Sequence, residues 1–203
     1  NKLRQGNHHV RTVICASAVG YYGDTGNSWV DEDAHPIENF LGQTCMQWEA
    51  AARKIESLGI RLVILRIGVL LDRKGGALPA MTTPVNYFAG APLGMGDQYI
   101  PWIHMEDLCG IFSFAVNNDK LHGIFNAVAP GPVQNKFFIQ SIAKTINRPC
   151  WPVHVPSFLI RMIMGEKADL VLHGQRVSSE KIRMAGYKFK HTDLQETLKS
   201  LLI

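Results

Sequence analysis

No two cysteines stand in a CxxC pair: Cys15, Cys45, Cys109 and Cys150 are scattered along 203 residues. That spacing gives neither a local zinc site nor a disulfide framework, so the thiols read as reduced and mostly core-filling. Long hydrophobic runs are missing too. The most apolar stretch, LVILRIGVLL over 62–71, contains an arginine and is far shorter than the roughly 20 apolar residues of a membrane-spanning helix. No charged-then-apolar leader opens the sequence, so the expectation is a cytoplasmic protein without a membrane partner. Lysines and arginines are dispersed and the net charge is only +4. Without basic runs interleaved with aromatics, nucleic acid is not an expected partner, and the charge suits an anionic small ligand or none. GxSxG, HExxH, P-loop and GxGxxG patterns are all absent, which removes the common nucleophile, metal and phosphate-cradle signatures. No metal is expected.

What is present is a packed-core composition, 46% hydrophobic, in a chain suited to one domain or one and a half. An apolar strand over 12–16 leads into a glycine-bracketed loop. Ile37, Leu41, Cys45, Trp48, Ala52, Ile55 and Leu58 then recur at steps of three and four, which predicts a helix with one apolar face, closed by Gly59. The run 61–71 reads as a single parallel strand covered on both faces. Helices are predicted over 76–88 and 105–116, a strand over 123–128, a helix over 135–146, a Pro-flanked strand over 151–155, and short helices around 157–164, 178–185 and 192–202. Alternating strands and helices imply an α/β protein with a parallel sheet, whose ligands bind beyond the strand C-termini.

Several side chains fall at such ends. Ser17 closes the first strand, where a hydroxyl could meet a carbonyl oxygen or a cofactor amide, or simply satisfy a turn. Tyr21 and Tyr22 lie between Gly20 and Gly23, which lets a phenol project into a cleft or pack against the next loop. Arg66, in mid-strand, needs an anionic or multiply hydrogen-bonded partner. Gly75 and Gly76 after Lys74, like Ala91-Pro92-Leu93-Gly94, could admit a phosphate to backbone amides. His104 reads as a proton carrier or as a cap of the following helix, whose dipole suits Glu106 and Asp107.

Read in order, CASAVGYYG (15–23), LRIGVLLDRKGGAL (65–78), WIHMEDL (102–108), FNAVAP (125–130) and GQRVSSEKIRMAGYKF (174–189) resemble the atypical, extended short-chain dehydrogenase/reductases known as epimerase family or nucleotide-diphosphate-sugar epimerase-like proteins. The resemblance covers essentially the whole chain. It implies the C-terminal part of a Rossmann-type doubly wound parallel sheet, over 1–75 and part of 105–130, and a small α/β substrate-side lobe, mainly 76–104 and 131–203. The family's TGxxGxxG half has no counterpart, so the chain is expected to begin just before the fifth strand. The resemblance further implies an NAD(P)-dependent epimerase or oxidoreductase acting on a sugar-nucleotide-like small substrate, NADP ahead of NAD. The alternative is a non-catalytic NAD(P)-binding sensor or regulatory protein. Homo-oligomerisation stays open.

By the same resemblance Ser17 matches the superfamily's catalytic serine, while its YxxxK pair falls at Leu41 and Cys45, which supply neither phenol nor ammonium. Tyr22, or else Tyr21, would substitute as proton donor. Ala16, Ser17, Arg66, Gly68 and Val69 would contact the cofactor, and Gly75, Gly76, Trp102 and His104 the substrate.

Overall fold

A computed structural model describes residues 9–203, apart from the side chains at 166 and 167. Its centre is a parallel three-stranded sheet in the order β1 (Thr12–Ala18), β3 (Arg61–Ile67), β7 (Gly123–Ala127). The middle strand is buried on both faces, as its unbroken apolar run requires, with Leu62 to Arg66 all inaccessible. Between β1 and β3 lie a 3-10 turn (Val19–Tyr22), a short strand β2 (Trp29–Val30) and helix α1 (Phe40–Arg53). Asn39 caps α1 by accepting from the Gly42 amide at 2.8 Å. After α1 a second 3-10 turn, Glu56–Leu58, ends at Gly59 with φ 71°, the left-handed conformation expected of a terminating glycine.

The predicted strand over 61–71 is in fact two. It breaks at Gly68, and β4 (Val69–Leu71) leaves the central sheet to pair with β6 (Trp102–His104). Any side chain at Gly68 would collide with the Pro101 carbonyl oxygen and the Val128 side chain, so the glycine lets two backbones cross in contact. Helix α2 (Leu78–Asn86), strand β5 (Tyr99–Ile100) and helix α3 (Met105–Asn117) complete this stretch.

Strand β8 (Val133–Gln134) pairs with β5, and α4 (Asn135–Thr145) follows it. The C-terminal part holds α5 (Ser157–Met164), α6 (Asp169–Leu172), β9 (Arg176–Val177), α7 (Glu180–Met184) and α8 (Leu194–Leu202). The strand expected over 151–155 is reduced to an isolated bridge between Leu93 and Val155. No helix among the described residues is long and apolar enough to cross a membrane.

Two large cores organise these elements. Val63, Leu65 and Phe125 of the sheet pack with Ile111 of α3 and Ile182 of α7, while Trp102, Phe138, Ile142, Leu194 and Leu198 fill the second core. A smaller cluster joins Val19 and Tyr22 to Val128 and Val177.

The apolar stripe expected on α1 is not its buried face. Gly42 and Glu49 are the buried residues, Leu41 and Cys45 are half-buried, and Trp48 is 60% exposed. Gly42 is buried because its backbone presses on the Ile37 carbonyl, and Glu49 because a cation waits beneath it.

Candidate functional site

Parallel pairing places Ser17 opposite Arg66, and Arg66 opposite Asn126. Each is the penultimate residue of its strand, so the three strands each present one polar side chain at a common level near their C-terminal ends. Around this row a buried network closes. Arg66, 1% exposed, holds Glu49 bidentately through Nε to Oε1 and Nη2 to Oε2, both at 2.9 Å. Its Nη1 donates to the Tyr22 hydroxyl at 2.9 Å and to the Glu32 carbonyl at 3.3 Å. The guanidinium also lies 3.5 Å over the Tyr21 ring. Burial works against its charge, but the hydrogen bonds it donates to Glu49 and Tyr22 outweigh that cost and hold its pKa above the usual arginine value.

The Tyr22 hydroxyl donates to Asn126 Oδ1 at 2.7 Å. Asn126 in turn donates its amide to Glu32 Oε1 at 2.7 Å and its side-chain Nδ2 to the Ser178 carbonyl at 3.0 Å. Burial raises the Glu32 carboxyl above its ordinary value, partly offset by that Asn126 amide. Burial also pushes Tyr22 up to about 12, against the opposing pull of Arg66.

Ser17 Oγ donates to Glu49 Oε1 at 2.7 Å and is only part-buried. Cys45 lies beside it, its thiol directed at the Ala18 carbonyl at 3.8 Å, with burial raising its pKa. The position that the resemblance assigns to the superfamily lysine therefore does abut the serine.

The sequence-derived candidates separate into two groups. Ala16 and Ser17 lie on β1, the outer strand of the sheet among the described residues, Ala16 exposed. Tyr22, expected as a proton donor, is instead 5% exposed with its proton committed to Asn126 and its oxygen taken by Arg66. Tyr21 packs under the guanidinium. Arg66, expected at the cofactor, spends its hydrogen bonds inside the protein, on Glu49, Tyr22 and Glu32.

The Gly68 and Val69 amides are used by the Ala127 and Pro101 carbonyls at 3.1 and 2.7 Å. Trp102, expected at the substrate, is 0% exposed and donates Nε1 to the Gly131 carbonyl at 2.8 Å, so it belongs to the core. Gly76 has φ 65° and bridges back to Leu71, closing a tight turn over 72–75 with Gly75 in it.

His104 caps α3, its Nδ1 accepting from the Glu106 amide at 3.0 Å. Its ring stacks on His191 with centroids 3.7 Å apart, and burial followed by the neighbouring imidazole lowers its pKa. Glu106 bonds both Lys190 and His191, which hold it down to about 2. Although His104, Glu106 and His191 converge, the cap uses the His104 Nδ1 lone pair, so in the neutral ring the other nitrogen carries the hydrogen and is a donor, not a metal ligand.

Glu49, Asn126 and Glu32 were not singled out from sequence. The signal lay in the strands: a lone asparagine in GIFNA at the same distance from the strand end as Arg66 in RLVILRI.

A glycine spacing of GxxGxxG does occur at Gly20, Gly23 and Gly26. It follows β1, but it forms a 3-10 turn of four residues and then β2, with no long helix opening behind it. Among the described residues this turn is thus no pyrophosphate cradle of the strand-turn-helix kind.

A parallel sheet with helices between its strands has the Rossmann-type α/β arrangement, in which ligands bind beyond the strand C-termini where this polar row lies. Comparison with known proteins gives its family. The human epimerase family protein SDR39U1, solved with NADPH, superposes with a TM-score of 0.90 at 31% identity, covering 98% of this chain and 68% of that one. Epimerase family protein YfhF of Bacillus subtilis is 39% identical over 193 residues, 95% of this chain and 63% of the relative. An SDR39U1 homolog of Arabidopsis thaliana chloroplasts is 35% identical over 190 residues, 94% of this chain and 54% of the relative.

UDP-glucose 4-epimerase of Thermus thermophilus, in complex with NAD, shares the fold at 15% identity with a TM-score of 0.73, covering 94% of this chain and 64% of that one. Residues 155–201 match a family model described as a domain of unknown function, DUF1731. The chain belongs to the epimerase family of short-chain dehydrogenase/reductase-like proteins. It spans less than two thirds of the length of these curated relatives.

Proposed function

We propose that the protein is a cytoplasmic NAD(P)-dependent oxidoreductase of the epimerase type, acting on a small hydroxylated substrate such as a nucleotide sugar. The observation that carries this reading is the likeness to a family member solved with NADPH, taken with a half-buried serine near the C-terminal end of β1. A nicotinamide cofactor would supply the hydride chemistry. In this reading Ala16, Ser17 and the stretch at Gly68 and Val69, whose amides are bonded within the protein, would hold its nicotinamide end, while the pyrophosphate has no cradle among the described residues. NADPH is proposed ahead of NADH on the same likeness. Ser17 orients the substrate oxygen. Tyr22 is assigned to the buried network instead of proton transfer, because its hydroxyl is committed on both sides.

A second reading, a non-catalytic NAD(P)-binding sensor, is favoured by one specific observation: the YxxxK positions are Leu41 and Cys45, and the nearest phenols are sealed or stacked. Titrating the protein, expressed at the full length of its gene, with NADPH and NADH tests both readings. Saturable binding, tighter for NADPH, is expected, with cofactor absorbance changing when nucleotide sugars and simpler alcohols are offered. Binding without turnover across that panel selects the sensor, and no binding overturns both.

A further inference from the structure

Ser17 has one hydroxyl hydrogen, and its neighbour decides where that hydrogen goes. Glu49, bidentate on a guanidinium that is itself 1% exposed, is an ionised carboxylate and so accepts only. At 2.7 Å from Glu49 Oε1, Ser17 Oγ must be the donor. Once that hydrogen is committed, only lone pairs remain on the part-buried oxygen. Arg66 fixes the carboxylate in turn: it grips both oxygens, and its own position is set by the Tyr22 hydroxyl, the Glu32 carbonyl and the Tyr21 ring. The chain from Tyr21 and Tyr22 through Arg66 and Glu49 to Ser17 anchors the carboxylate, so turning the serine's hydrogen to the neighbouring Cys45 sulfur would exchange an ionised acceptor for a weak one.

From this polarity we infer that Glu49 and Arg66 are positioning residues that hold Ser17 as a hydrogen-bond acceptor toward its ligand, so that the group received there is an O–H or N–H donor, a substrate hydroxyl above all, and not a carbonyl oxygen. The inference rests on the reading of this strand end as ligand-facing. It reverses the sense in which the hydroxyl could otherwise serve a carbonyl substrate. A ligand arriving as an alcohol finds lone pairs waiting, whereas a ketone oxygen meets a lone pair opposite its own and is repelled. The site therefore selects the reduced, hydroxyl-bearing partner of an alcohol and carbonyl pair.

A thiol placed at Ser17 reads this polarity directly, without knowledge of the substrate. In the full-length protein, Ser17→Cys is combined with Cys45→Ala so that no second thiol adjoins it. Alkylation by iodoacetamide is followed as a function of pH, with peptide mapping to separate the introduced thiol from Cys15, Cys109 and Cys150.

A thiol donating to a carboxylate resists ionisation, so its labelling midpoint is expected above the ordinary value of about 8.5. Adding Glu49→Gln removes the negative charge and leaves Arg66 facing the thiol. The midpoint then falls by about one pH unit or more. Because breaking a buried pair can unfold the protein, Glu49→Gln with Arg66→Met provides a second comparison, expected to bring the midpoint back toward the ordinary value. The same midpoint in the parent and in either folded Glu49 variant overturns the inference. NADPH titration of the unsubstituted full-length protein keeps the two ideas apart, since absence of binding there defeats the proposed function while the labelling midpoints still decide the polarity of Ser17.

Discussion

Tyr22 shows how a side chain that reads as reactive in sequence becomes structural once its partners are known. Its oxygen accepts from Arg66 and its hydrogen goes to Asn126, both in the interior. Tyr22→Phe leaves Asn126 Oδ1 and one Arg66 N–H short of a partner, which costs about 1–3 kcal/mol. Chemical denaturation checks this, and NADPH affinity of the full-length protein should stay within a few-fold of the parent.

The same residue predicts an alkaline limit. Burial holds its folded pKa up to about 12, above the ordinary tyrosine value of about 10, so its contribution is complete below the unfolded pKa and lost as pH rises through the folded one. In that window the unfolded chain gives up a proton that the folded chain keeps, and stability falls by about 1.4 kcal/mol per pH unit. Burial raises Tyr187 too, so the test is the slope that disappears in Tyr22→Phe relative to the parent. At this scale the sequence revealed a need and not its answer. A guanidinium in mid-strand demanded an anion, but that the anion is Glu49 of this same chain depends on how α1 lies against β3.

Elements were most legible where pattern and packing agree. The first strand, the helices that became α3, α4, α5 and α8, and the glycine that ends the segment after α1 all lie where periodicity and capping place them. The misreadings have physical causes. On α1 the apolar stripe predicts the buried side, yet a close backbone contact at Gly42 and the ion pair at Glu49 turn the helix so that Trp48 is exposed among the described residues. Over 61–71 no sequence feature apart from one glycine separates two strands that pair with different partners. Gly68→Ala tests that explanation. A methyl group there must displace the Pro101 carbonyl, and the expected cost is about 1–3 kcal/mol from overpacking. Hydrogen exchange should locate the damage: faster exchange at Val69, whose amide donates to Pro101, with Ile64 and Leu65 in β3 still protected. Uniform loss of protection across both strands would mean that the glycine does not mark a boundary between them.

For the whole molecule, the question is whether residues 155–201, which match a family model of their own, form a separable unit. Their packing says they do not. Leu194, Leu198 and Leu201 lie in one core with Trp102, Phe138 and Ile142, Ile182 lies in the other with Val63 and Leu65, and Val177 completes the cluster around Tyr22. Polar ties follow the same routes. The Asp107 carboxylate accepts the Lys190 and His191 amides at 2.9 Å each and the Tyr187 hydroxyl at 3.0 Å, and Asn126 donates to the Ser178 carbonyl. Every large core thus contains residues from both sides of position 155.

Ending the full-length protein after residue 154 should therefore abolish cooperative unfolding. The exposed halves of these cores should bind a hydrophobic dye, with far-ultraviolet circular dichroism outlasting the near-ultraviolet signal. Asp107→Ala gives the graded control. It leaves the cores filled but orphans the Lys190 and His191 amides, while the Tyr187 hydroxyl keeps the Asp107 carbonyl as an acceptor, so a single transition should persist at reduced stability, by about 1.5–3 kcal/mol for each charged hydrogen bond not replaced by water. A truncated chain that melts in one sharp transition would show the segment to be an appendage, and it would detach the buried network, and the serine it holds, from the C-terminal third of the protein.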